Sequence, residues 1–213
     1  MLRARLLLSA TAVVLGVAFV SGALVLTDTL GRVFDDLFVS TGQKTDVEVR
    51  GKALFEGDGG TTRAPVPASL VPRLRQVPGV AAVTGDVIGY AQVVGKDGKA
   101  YGSNGPPTFG QNFDDDPLTS PYTLREGAGP GRDEIAIDAR TAEQTGYVVG
   151  DRVPVLLPEG QDSFVLSGVF GFGENDNLGG ASITAFEQGL AEELFAEPGE
   201  LFSVRLAAAA GVT

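Results

Sequence analysis

The chain has 213 residues and a formal net charge of −11, with no His, no Cys and no Trp. Without His or Cys there is no histidine general base, no thiol nucleophile, no disulfide framework and no zinc knuckle. The acidic balance excludes a nucleic-acid surface, which needs a basic stripe, and a hydrophobic fraction of 43% excludes a disordered chain.

Residues 6–26 carry no charge, with Arg3 and Arg5 just before them and Asp28 just after. As a helix this stretch spans about 31 Å, close to the hydrocarbon thickness of a bilayer. The positive-inside rule puts residues 1–5 in the cytoplasm as a short tail and everything beyond Leu26 outside. A cleaved signal peptide is the rival reading, with Ser21-Gly22-Ala23 as the small-residue site. Against it, the apolar run continues through Leu26 into a second pattern. Leu30, Val33, Phe34, Leu37 and Phe38 recur at helical spacing, the stripe of an amphipathic helix. The expectation is one long helix, a transmembrane span over 6–26 continuing as a stalk over 27–39. The stripe is its candidate coupling face. Within the span, Ser9, Ala12, Gly16 and Ala23 share one face and form a candidate packing surface for further membrane helices.

Residues 45–213 read as one extracytoplasmic α+β domain of mixed strands and short helices. Residues 45–50 alternate around Val47 and Val49 as a strand, and 51–65 read as a polar, Gly-rich loop. A short helix is expected over 67–76, although Pro72 interrupts it. A turn at Val77-Pro78-Gly79-Val80 leads into strands over 80–88 and 89–94, with an Asp97-Gly98 hairpin turn after them. Residues 102–122 read as a long Pro-rich loop. A strand over 134–138 and a helix over 139–145 follow, then strands over 148–157 and 164–172. A polar loop over 174–180 precedes a short strand at 181–184. Residues 186–195 form an amphipathic helix with Leu190, Leu194 and Phe195 on one face, and 202–206 form the last strand.

The search for chemistry returns negatives. Lys44-Thr45 lacks the glycines of a phosphate-cradling loop and Gly95-Lys96 is followed by Asp97 instead of a hydroxyl, and Gly171-Phe172-Gly173 has Asp176 where a dinucleotide fingerprint needs its third glycine. Asp114-Asp115-Asp116 reads as a solvated turn before Pro117, because calcium loops need alternating ligands and a fixed glycine. Glu174-Asn175-Asp176-Asn177 has a better composition for a cation, but reads as a tight polar turn. Tyr90, Tyr101, Tyr122 and Tyr147 are scattered and read as core or edge aromatics. No nucleophile, base and oxyanion site assemble. No catalytic residue, cofactor or metal is expected, and the chain does not read as an enzyme.

The run RLLLSATAVVLGVAFVSGALVLTDTLGRVFDDLF (5–38) resembles the first transmembrane helix and stalk of FtsX-like, MacB-like ABC-transporter permeases. VPGVAAV (77–83), DEIAIDARTAEQTGYVVGDRV (133–153), FVLSGVFGFG (164–173) and LGGASITAF (178–186) match in the same order. The resemblance implies a MacB-like periplasmic core domain after the first membrane helix, with a separate cytoplasmic ABC ATPase as partner. It implies mechanotransmission, in which ATP-driven movement passes through the stalk to the outer domain for efflux, lipoprotein or cell-envelope work. Further permease helices or a second permease copy, and the lipid bilayer, complete the expected partners. Family members carry at least three more membrane helices after the outer domain, so the chain corresponds to the N-terminal part of such a permease, with its outer domain incomplete at the C-terminal end. The location implied is the cell membrane, with the N-terminus cytoplasmic. The alternative is a singly anchored or secreted acidic binding module with the 102–122 loop as its contact surface.

Overall fold

The computed structural model describes residues 14–17, 21, 45–57, 60–102 and 107–212. The chain divides into two units, Met1–Val39 and Ser40–Thr213. In the first unit, residues 14–17 and 21 are helical and exposed, Gly16 among them. Ser9, Ala12, Ala23, Leu30, Val33, Phe34, Leu37 and Phe38 lie outside the described residues, as does most of the expected span and all of the stalk. Among the described residues no helix is long and apolar enough to cross a membrane.

The second unit is mixed α+β, as its alternating and continuous apolar runs require. Its centre is β10 (Glu134–Asp138), whose Ile135, Ala136 and Ile137 are fully buried. A strand without a polar face belongs inside a sheet covered on both sides. β10 runs parallel to β12 (Gly160–Gly171) on one side and antiparallel to β13 (Ser182–Phe186) on the other. Around them lie β6 (Ile88–Gly89), β7 (Gln92–Val93), β8 (Thr108–Asn112) and β11 (Arg152–Leu157). The resulting eight-stranded sheet runs β6-β8-β13-β10-β12-β11-β7, and β9 (Thr123–Gly127) pairs with the far half of β12. A three-stranded antiparallel sheet has the order β1 (Val47–Arg50), β15 (Ser203–Ala208), β5 (Val80–Asp86). β4 (Val66–Pro67) pairs with β14 (Glu200–Leu201). β2 (Ala53–Gly57) and β3 (Gly60–Arg63) form a hairpin that pairs only with itself.

The helices are set by their ends. α1 (Leu70–Leu74) tolerates Pro72 because the first-turn N–H groups have no helical partner to lose. α2 (Ala139–Thr145) starts at Asp138, whose Oδ1 accepts from Thr141 N at 2.9 Å. It stops at Gly146, at φ 70°, whose N–H donates back to Ala142 O. α3 (Gln188–Phe195) starts at Glu187, whose carboxylate accepts from Gly189 N and Leu190 N at 2.9 and 3.0 Å. Its stripe of Leu190, Leu194 and Phe195 packs on the core.

Several boundaries differ from the sequence expectation. The polar stretch 51–65 is the β2–β3 hairpin rather than a loop. The long loop contains β8, and β9 follows it, because parallel pairing to β13 and antiparallel pairing to β12 supply what local propensity does not. The strand expected over 148–157 begins at Arg152, and the one expected over 164–172 begins at Gly160, since β11 and β12 form one long hairpin. The strand expected over 89–94 is reduced to Gln92–Val93.

Candidate functional site: a buried ion cluster beside the entry strand

The start of β1 and the end of β15 lie side by side. Asp46 N donates to Leu206 O at 3.0 Å, Ala208 N donates to Asp46 Oδ2 at 2.7 Å, and Ala209 N donates to Gly79 O at 2.8 Å. β1 then runs antiparallel to β15, from Val47 opposite Leu206 to Arg50 opposite Ser203. The backbone before β1 and the backbone after β15 therefore share one end of one sheet.

The two faces of that sheet differ in chemistry. On one face Val204 and Leu206 join Val83, Leu201 and Val66 in an apolar cluster, against which Leu70, Val71 and Leu74 of α1 pack. On the other, Arg205 sits beside Asp86 and Ser203, as strand alternation dictates. Arg205 Nε reaches both Asp86 oxygens at 2.9 Å, and Nη2 reaches Asp86 Oδ1 at 2.6 Å. Nη2 also reaches Asp114 Oδ2 at 3.3 Å, and Nη1 donates to the Thr119 carbonyl. Ser203 Oγ donates to Asp86 Oδ2 at 3.0 Å, and the Thr84 and Thr119 hydroxyls lie 2.8 Å apart. The side chains of Arg205, Asp86 and Asp114 are 13%, 18% and 4% exposed. Burial pushes the Asp86 carboxyl above the usual carboxylate range, against the pull of Arg205. Burial pulls the Arg205 guanidinium down, but Asp86 and Asp114 more than offset it and hold it above its ordinary value.

The cluster reaches the eight-stranded sheet through residues 113–122. Asp114 follows Phe113, which stacks on Tyr122 with centroids 5.1 Å apart, and Tyr122 packs on Phe170 of β12 at 4.6 Å. Burial raises the Tyr122 phenol, which donates to Gln111 Oε1 at 2.8 Å. A second tie runs through Asn112 of β8, which accepts from Val87 N at 2.7 Å and donates to Gly85 O at 3.1 Å and Gln188 Oε1 at 2.8 Å. The arrangement shares one guanidinium between two carboxylates. Through these contacts β15 is bonded to β5 and to residues 113–122, which in turn pack on β12.

The acidic run over 114–116 is thus only partly the expected solvated turn. Asp115 is exposed and Asp116 Oδ1 accepts from Leu118 N at 2.9 Å, but Asp114 is an ion-pair partner in the interior. The Glu174–Asn177 stretch is a tight turn, closed by Phe172 N donating to Asn175 O at 2.6 Å and braced by Arg125. Its guanidinium donates to Gly173 O at 2.7 Å and to Asp176 Oδ1 at 3.0 Å. Among the described residues no group of three acids is placed to hold a metal. Tyr147 donates to Val94 O at 2.9 Å and Tyr90 to Gln92 Oε1 at 2.6 Å, as structural aromatics do. Asp86 and Arg205 escaped the sequence reading. The available signal was a charge within each of two apolar strands, Gly85-Asp86-Val87 and Val204-Arg205-Leu206.

Comparison with known proteins places this architecture. The fold is similar to the periplasmic region of MacB from Actinobacillus actinomycetemcomitans, with a TM-score of 0.57, 12% identity, and coverage of 82% of this chain and 78% of that one. The extracellular domain of the noncanonic ABC-type transporter YknZ from Gram-positive bacteria aligns with a TM-score of 0.48 and 12% identity, over 78% of this chain and 85% of that one. No curated protein matches. A family model described as the MacB-like periplasmic core domain matches residues 6–210. With that match over nearly the whole chain, and a fold shared with the MacB periplasmic region, the chain belongs to the MacB-like periplasmic core domain family.

Proposed function

We propose that the chain is the outer-domain part of an ABC-transporter permease subunit. Anchored by the helix over 6–26, it relays ATP-driven movement of a cytoplasmic ATPase to the extracytoplasmic side. The observation that carries this reading is that β1, the first strand after the helical unit, is laddered onto β15, backed by the Arg205 cluster. A helix moving before Thr45 pulls on β1. An antiparallel ladder in register resists sliding along its length, so β15 moves with β1. Arg205 passes the displacement to β5 through Asp86 and to residues 113–122 through Asp114. No step is chemical, and we assign the chain no enzymatic activity, cofactor or nucleic-acid partner. Its partners in this scheme are the ATPase, further permease helices or a second permease copy, and the bilayer.

The test uses the chain together with its co-purifying ATPase in lipid nanodiscs. Val33→Asp with Leu37→Asp places charges on the stalk stripe. The expected result is ATP hydrolysis within about twofold of the parent, with loss of the ATP-dependent change in amide exchange over Ser203–Ala208. An unchanged ATP-dependent response in the variant overturns the lever. If no ATPase with a phosphate-binding loop co-purifies and the mature N-terminus lies near Leu24, the secreted binding module takes its place.

A further inference from the structure

Arg205 carries one positive charge and bonds two buried carboxylates through the same nitrogen, Nη2. With both acids ionised, the set holds one negative charge in excess in the interior. The two bonds are unequal. Asp86 of β5 takes Nε at 2.9 Å and Nη2 at 2.6 Å, whereas Asp114 takes Nη2 alone at 3.3 Å. The strong pair lies within the three-stranded sheet, because Arg205 and Asp86 are on its neighbouring strands β15 and β5. The weak pair is the ionic link from that sheet to residues 113–122.

The neighbouring groups leave this imbalance in place. On β1, Glu48 stands opposite Arg205 and Arg50 opposite Ser203, and those two side chains are bonded to each other at 2.6 Å. In residues 113–122, Asp115 is exposed, and Asp116 Oδ1 accepts from Leu118 N. The Tyr122 phenol, raised by burial, stays protonated. Thr84, Ser203 and Thr119 supply only hydroxyls and a carbonyl. Asn112, the other tie between the sheets, has no ionisable group. Among the described residues, no second cation pairs with Asp86 or Asp114. Burial raises the Asp86 carboxyl, Arg205 and Ser203 oppose that shift, and the Asp114 charge adds to it.

We propose that this cluster is an acid-tightened clasp, in which a proton taken by Asp86 frees the Arg205 guanidinium to close on Asp114 and hold residues 113–122 against the three-stranded sheet. The proton comes from solvent, and the O–H bond on Asp86 is the only covalent bond that forms. With Asp86 neutral, one guanidinium faces one carboxylate and the interior charge is balanced. Nη1 is already on the Thr119 carbonyl, so the guanidinium has only to turn within its site. As pH rises through the raised value, Asp86 loses its proton and recaptures Nε and Nη2, and the bond to Asp114 lengthens again. The clasp lies wholly within the second unit, so it holds whether or not the stalk pulls on β1.

The test titrates the full chain in detergent micelles from about pH 7.5 to about pH 4.5, with carbon-13 at the aspartate carboxyls. The Asp86 resonance, assigned through its backbone, should take up its proton above the ordinary carboxylate value near 4. Amide exchange, corrected for its intrinsic pH dependence, reads the clasp at Thr119 and Ser120, whose N–H groups donate to Asp116 O. Their protection should rise about tenfold on acidification, with the midpoint of the Asp86 resonance. Asp86→Asn, neutral throughout, should hold the high protection at both ends of the range. Asp114→Asn should hold the low protection at both. Circular dichroism like the parent's shows that each variant is folded, and if one does not fold, the two titrations of the parent decide. An Asp86 resonance that titrates at or below the ordinary value overturns the proposal. So does protection that is flat in the parent, that departs from the Asp86 midpoint, or that still rises with acid in Asp86→Asn.

Discussion

Asp138 illustrates how one residue does several structural jobs in this fold. Its side chain is fully buried, and it accepts from Thr141 N at 2.9 Å, from the Thr141 hydroxyl at 2.5 Å and from Ile183 N at 2.8 Å. It therefore starts α2 and clamps β13 against β10 together. Burial pushes its carboxyl above the ordinary carboxylate range, and these donors oppose that shift without reversing it. A carboxyl that holds its proton more tightly folded than unfolded contributes stability that is present at low pH and is lost as pH rises through the raised folded value. Glu187 has the opposite sign, because the N–H groups of Gly189 and Leu190 hold its carboxyl down, so its contribution is lost as pH falls. Asp138→Asn keeps an oxygen for the cap and removes the titration. The stability of the parent chain relative to this variant should shrink from about pH 4 towards pH 7, as read from urea midpoints. A difference that grows with pH reverses the assigned sign.

At the level of elements, α3 reaches the sheet through glycine. A Cβ at Gly110 of β8 would lie 2.4 Å from Phe195 Cζ, and one at Gly89 of β6 would lie 2.4 Å from Phe195 Cδ1. The ring therefore lies flat over two strands that present no side chain to it. Gly110→Ala should force the ring aside and cost about 1–3 kcal/mol in chemical denaturation, with part of the loss recovered when Phe195→Leu is added. A Gly110→Ala chain as stable as the parent means the ring has room to move, and the packing argument fails. The same glycine explains why β8 was illegible. Thr-Phe-Gly-Gln-Asn lacks apolar alternation and carries the strand-weakening Gly110 and Asn112, and the strand exists because β13 and β6 pair with its two edges. By contrast α2 was readable to the residue, since its start at Asp138, its end at Gly146 and the apolar strand before it are all local signals. The β2–β3 hairpin lies between these cases. Its glycines and charges read as loop, and its pairing is purely local with no buried face to reveal it.

Across the whole molecule, the acidic composition was legible, and so was the order of the family-like segments. The ion cluster was not, because Arg205 lies 119 residues from Asp86 and 91 from Asp114 in sequence. No local pattern predicts a contact across that separation. On the proposed lever this cluster and Asn112 are the two ties between the three-stranded and the eight-stranded sheet. A buried pair stabilises little relative to apolar residues, but removing one partner leaves uncompensated charge in the interior. Arg205→Ala strands Asp86 and Asp114 and should cost about 3–5 kcal/mol. Replacing the set together, Arg205→Met with Asp86→Asn and Asp114→Asn, should cost less than the single change, since no buried charge remains. Amide exchange separates a local from a global effect. In Arg205→Ala, Val80–Asp86 and Ser203–Ala208 should lose protection before Glu134–Asp138, whose fully buried neighbours hold β10 without the cluster. Equal loss of protection in all three segments makes Arg205 a general stabiliser and removes it from the path between the entry strand and the rest of the domain.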